Sequence, residues 1–131
     1  EGEYIKYRQL LPPSYAISTR VSRGELADCI DRASLMAREG KNNLLRFSIR
    51  QDKLSITSNS EMGDVYEEMD VETTGSDIDI AFNVRYITDA VKSIDEEQFL
   101  IKLNSNISPC VLVPTEGEDF LYLVLPVRTA G

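Results

Sequence analysis

Five carboxylates crowd the stretch EMGDVYEEMD: Glu61, Asp64, Glu67, Glu68 and Asp70. Paired carboxylates can divide acid and base roles in glycoside hydrolysis, or ligate a hard cation. Either task needs the side chains on one surface. This stretch reads as a strand, in which neighbours face opposite sides, so Glu67 and Glu68 diverge; no D-x-D-x-D-G loop is present to wrap a cation. The geometry disfavours a hydrolase using Glu67 and Asp70. It fits a solvated, edge-protecting strand or a salt-linked partner surface.

The remaining catalytic repertoire is thin. Histidine is absent, which removes the commonest general base and any Ser-His-Asp relay. Cys29 and Cys110 match no metal-ligand spacing and read as core thiols in a reducing, cytoplasmic compartment. There is no P-loop, Gly-rich dinucleotide fingerprint, G-x-S-x-G or H-E-x-x-H. The sequence therefore implies no catalytic residue, no metal and no cofactor. No run approaches the roughly 20 apolar residues of a membrane span, so no membrane partner is expected. The net charge of −8 has the wrong sign for a self-sufficient nucleic-acid binder and points to protein partners.

The elements that must position these residues form a repeated pattern. At 131 residues and 42% hydrophobic content the chain can bury one core. SYAISTRVS alternates as a strand, and SRGELADCIDRASLMAREG follows with helical periodicity, a Ser22/Glu25 capping box and Gly40 as its stop. LLRFSIR and KLSITSNS form a hairpin around Gln51-Asp52, and DVYEEMDVETT reads as one further strand ending at Gly75. DIDIAF, a helix NVRYITDAVKSID capped by Asn83, then QFLIKLN, ISPCVLVP and DFLYLVLPV repeat that order. Registering the caps Ser22 and Asn83 gives an offset of 61, under which Leu26, Cys29, Ile30 and Ala33 meet Ile87, Ala90, Val91 and Ile94. The expected fold class is α+β: two β-α-β-β-β units whose two helices pack side by side on antiparallel sheet.

Some residues do not serve this fold. Leu35 falls on the polar side of the first helix beside Met36, where it could meet another subunit or simply face solvent. The helices' polar faces carry Arg23, Asp28, Asp31 and Arg32 in one copy and Arg85, Asp89 and Lys92 in the other, a mixture that usually means solvent. Leu123, Val124, Leu125 and Val127 carry an apolar strand nearly to the chain end.

Three stretches, YIKYRQLLP at 4–12, FNVRYITDAV at 82–91 and YLVLPVRT at 122–129, resemble the bacterial sliding clamp family, the beta subunit of DNA polymerase III. The similarity covers the family's C-terminal third. It implies a DNA-clamp fold, with residues 1–13 as the end of a preceding middle domain and its connector and 14–131 as the C-terminal domain, so the chain is expected to be a fragment. It also implies a non-catalytic, head-to-tail homodimeric ring around duplex DNA, helices inside and sheets outside. A hydrophobic pocket would take clamp-binding motifs of replicative polymerase, clamp loader and repair proteins. Its wall would be Leu10, Asn83, Tyr86, Ile107, Pro109, Leu123, Val124, Leu125, Pro126, Val127 and Arg128. The subunit interface would use Leu35, Met36, Asp64, Glu67 and Glu68, and the DNA-facing residues would be Arg23, Arg32, Arg85 and Lys92. The alternative is a free-standing acidic protein-interaction or adaptor domain.

Overall fold

Alternation in ISTRVS places Ile17, Thr19 and Val21 inward as β1 (Ile17–Ser22), and the chain turns directly into a helix, α1 (Arg23–Glu39). Ser22 Oγ accepts a hydrogen bond from Glu25 N at 3.4 Å, the N-cap half of the expected capping box. The computed structural model describes residues 14–39, 44–60 and 63–128; Gly40 lies outside them. Beyond α1 come β2 (Leu44–Ile49), β3 (Lys53–Ser60), β4 (Gly63–Asp70), β5 (Glu72–Thr74) and β6 (Ile78–Asn83). α2 (Val84–Lys92), β7 (Gln98–Leu103), β8 (Cys110–Pro114) and β9 (Tyr122–Val124) complete the order.

The strands form two antiparallel sheets, ordered β5-β1-β7-β8-β9 and β4-β3-β2-β6. The repeat is visible here as an exchange: the first strand of each copy pairs with the second strand of the other. Adding 61 to the bounds of β1 gives those of β6, and Ile17 opposite Leu103 matches Ile78 opposite Ile49. The helices lie side by side, α1 over β3 and β4 and α2 against β6 and β9. Between helices and sheets a single cluster forms the core, with Phe47 and Phe82 edge-to-face at 5.2 Å.

The stretch expected as one strand to Gly75 is two. At Val71 the chain leaves one sheet for the other, so that β4 pairs with β3 and β5 with β1. Val71 is buried, and the tip of the β2–β3 hairpin braces the crossing: Val71 N donates to Asp52 O at 3.1 Å and Thr73 N to Gln51 O at 2.8 Å. The second copy repeats the move at the chain end, where Val127 N donates to Ala81 O at 2.8 Å after β9 has paired with β8. Ala81 is 61 residues beyond Arg20, which faces Glu72, so Val127 is the counterpart of Glu72.

Both cysteines are free and buried in the core, as expected. Burial pushes the Cys110 thiol from an ordinary value near 9.0 up to about 12, and raises Cys29 despite the nearby Arg32. Native protein is expected to resist thiol-alkylating reagents until it is unfolded. The raised Cys110 value also has a pH consequence. Above about pH 9 the unfolded thiol ionises while the folded one stays protonated, so this contribution to stability is full below pH 9 and declines as pH rises toward 12. Denaturant titrations at pH 8 and pH 10.5 check this; replacing Cys110 with serine should flatten the difference.

Candidate functional site

Asn83 ends β6 and caps α2, its Oδ1 accepting from Arg85 N at 2.9 Å and Tyr86 N at 3.3 Å. The cap sets the helix phase: Val84, Ile87 and Val91 turn into the core, and Tyr86 turns out, 64% exposed. Replacing Asn83 with alanine should cost about 1 kcal/mol of stability, seen as a lower denaturation midpoint, because two helix N–H groups lose their acceptor.

The closing segment alternates across this site. In β9 Val124, expected on the pocket wall, points its side chain into the core and is only 3% exposed, so it supports the surface from beneath. Leu125 points outward at 62% exposure, Pro126 has no N–H to extend the ladder, and Val127 crosses to Ala81. The antiparallel sense of that bridge runs Pro126 and Leu125 toward the Asn83 end of β6. Beyond them stands the turn between β7 and β8, where the Ser105 and Ser108 hydroxyls pair at 2.7 Å and Ile107 is 58% exposed. Pro109 is half-buried beside it, and Arg128 is exposed.

Several of these residues line two separate depressions. Asn83 and Tyr86 line one of about 620 Å³ that runs between the helices past Ser34, Thr88 and Lys92. Ile107, Val127 and Arg128 line another of about 500 Å³ on the outer face of the β4-β3-β2-β6 sheet. Leu10 lies outside the described residues.

The other expected sites are rearranged by long-range pairs. Leu35 is 60% exposed on α1, while the side chains of Met36 and Asp64 lie outside what is described. Glu67 faces the helices and accepts from Arg32 Nε at 2.9 Å; Glu68 faces away and accepts from the Tyr66 hydroxyl at 3.1 Å. An expected interface residue and an expected DNA-facing residue are thus bonded to each other. The bond to Glu67 raises the Arg32 pKa. Lys92 Nζ likewise stands 3.2 Å from Asp31, and Arg85 is exposed. Arg23 is half-buried, with Nε unpartnered.

The family model for DNA polymerase III beta subunit, C-terminal domain, matches residues 8–128. The chain belongs to that family. It is 37% identical over 131 residues to the beta sliding clamp of Staphylococcus aureus strain Mu50, covering 98% of this chain and 35% of the relative. The fold matches the DNA polymerase III beta subunit of Thermotoga maritima with a TM-score of 0.88 at 31% identity, over 95% of this chain and 34% of that one. A putative beta subunit from Eubacterium rectale gives 0.87 at 37% identity, over 98% and 35%. The chain spans about a third of the length of these relatives.

Among the described residues of this clamp-family domain, five large hydrophobic side chains are markedly exposed: Leu35, Tyr66, Tyr86, Ile107 and Leu125. Sequence reasoning assigns four of them to sites and misses Tyr66, whose hydroxyl is held 2.9 Å from Ser55 Oγ on the outer sheet face. An aromatic residue in an acidic edge strand, in phase with Glu68, is the signal that could have found it. Among the described residues no group of His, Cys, Asp or Glu is arranged to hold a metal ion, and no helix is long and apolar enough to cross a membrane.

Proposed function

We propose that this chain is the C-terminal domain of a bacterial DNA sliding clamp, a non-catalytic processivity factor acting in the cytoplasm. The observation that carries the reading is the family match across 8–128, joined to a fold shared with the Thermotoga maritima subunit at a TM-score of 0.88. Residues 1–13 would end the middle domain and its connector, and 14–131 would be the C-terminal domain. Two such subunits, head to tail, would close a ring around duplex DNA and tether the replicative polymerase, with loader and repair proteins using the same docking pocket. Tethering by topology keeps the partner's effective concentration at the template high without tight contact to DNA.

Charge placement supports this use. Along the helices, over residues 23–35 and 84–92, Arg23, Arg32, Arg85 and Lys92 balance Glu25, Asp28, Asp31 and Asp89. The net charge of −8 therefore resides elsewhere, and the helix layer can face phosphate without bulk repulsion. The docking pocket would be built around Tyr86, Ile107, Pro109, Leu123, Leu125, Pro126, Val127 and Arg128, apolar anchors with a few polar groups for direction. Glu68 on the edge strand β4, with Leu35 nearby on α1, would meet the neighbouring subunit.

The test of the reading is topological. Full-length protein loaded onto nicked circular DNA should co-migrate with it through a sizing column and be lost after linearisation. Equal retention on both forms would defeat encirclement. Replacing Leu35 and Met36 with alanine should shift the sedimentation of the full-length protein from dimer toward monomer; an unchanged dimer would remove these residues from the interface.

A further inference from the structure

The depression on the outer face of the β4-β3-β2-β6 sheet holds a charge pattern that the fold does not require. Thr57, Arg46, Ala81 and Val127 lie in register across four adjacent segments, with Arg128 at the end of the row. Arg46 and Arg128 are both exposed, and neither makes an ion pair among the described residues. The one carboxylate on the groove wall, Asp79, is engaged by Arg50 Nη1 at 3.1 Å.

The repeat supplies an internal comparison. The equivalent row on the other sheet is Val113, Leu100, Arg20 and Glu72, in which a cation and a carboxylate face each other across neighbouring strands. On the β4-β3-β2-β6 sheet Ala81 and Val127 take the places of Arg20 and Glu72, and Arg46 takes that of Leu100. The carboxylate is gone and two guanidinium groups remain, in a chain of net charge −8. Such forks are suited to carboxylates, which they can hold through paired N–H donors.

The geometry points to a carboxylate subsite: Arg46 and Arg128 hold acidic side chains that flank the apolar anchors of a docking peptide. This deepens the proposed function and rests on it, because Ile107, Val127 and Arg128 belong both to the groove and to the proposed pocket wall, and Val127 directly follows Leu125 and Pro126 in the chain. The Thr57 and Ser48 hydroxyls on the floor can complete the acceptor-donor pairing.

Fluorescence anisotropy with two labelled peptides tests it. Both carry the same leucine and phenylalanine anchors, flanked on each side by aspartates in one and asparagines in the other. At low salt the aspartate form should bind the purified protein about three- to fivefold more tightly, the range of an exposed charge pair, and the gap should shrink as salt rises. Arg46→Gln combined with Arg128→Gln should abolish the difference between peptides. Arg46→Glu should favour a third peptide with lysine flanks, a gain of binding that a misfolded variant cannot produce. Equal binding of the two peptides by the unaltered protein, or a preference that survives both substitutions, overturns the subsite. If none of the peptides binds, the docking reading itself fails and this subsite with it.

Discussion

Replacing Leu125 with aspartate is expected to weaken docking-peptide binding at least about thirtyfold while leaving thermal stability nearly unchanged. Leu125 is 62% exposed, so the folded domain loses little packing, and surface changes of this kind typically stay within about 0.5 kcal/mol. A peptide seated there loses an apolar anchor and must desolvate a charge. Truncated hot spots alone cost about 2 kcal/mol or more, which is roughly thirtyfold in Kd. Its neighbour provides the control. Val124 is 3% exposed and packs in the core, so Val124→Ala should reverse the pattern, costing roughly 1 to 3 kcal/mol of stability with a small effect on binding by the folded fraction. Anisotropy and calorimetry on both variants separate the two roles; undiminished peptide binding by Leu125→Asp would remove the closing segment from the site.

The largest expected loss of stability comes from a residue far from any partner. Gly75 follows β5 with φ of +110°, a conformation side chains rarely adopt. An added Cβ would press into the carbonyl oxygen of Ala16 and stand 3.1 Å from Ile17 Cα, the backbone that opens β1. Both obstacles are main chain and cannot rotate aside. Gly75→Ala should therefore cost about 3 kcal/mol or more, combining backbone strain with displacement of β1. Gly117, with φ of +77° and open space for 4 Å around the point where a methyl group would stand, isolates the strain: Gly117→Ala should cost only about 1 kcal/mol. Urea unfolding of the pair, compared at constant m-value, measures the difference.

Much of this fold is legible in the sequence because its signals are local. Caps at Ser22 and Asn83 fix both helix starts, and the offset between them carries β1 onto β6 without adjustment. The break at Val71 is not legible, because a buried valine continues the alternation on either side and no glycine or proline marks the change of sheet. At the chain end alternation shows that two sets of side chains exist; only packing shows that Val124 belongs to the core and Leu125 to the surface. The bond between Arg32 and Glu67 spans 35 residues of sequence, beyond any spacing rule, and it joins two roles that residue types alone keep apart. Arg46 is one more polar residue on an alternating strand until the bridge from Val127 to Ala81 closes a groove beside it.

The exchange of first strands also sets how the chain must fold. Ile17 meets Leu103 across 86 residues, and neither copy contains a complete sheet of its own. Local hairpins can form early, but within its own copy β1 has only the three-residue β5 to pair with until the second copy's β7 exists, so the domain is expected to fold as one cooperative unit with a substantial loop-closure cost. Cut between β5 and β6, the two pieces should be unstable apart and should reassemble when mixed, each donating its opening strand to the other.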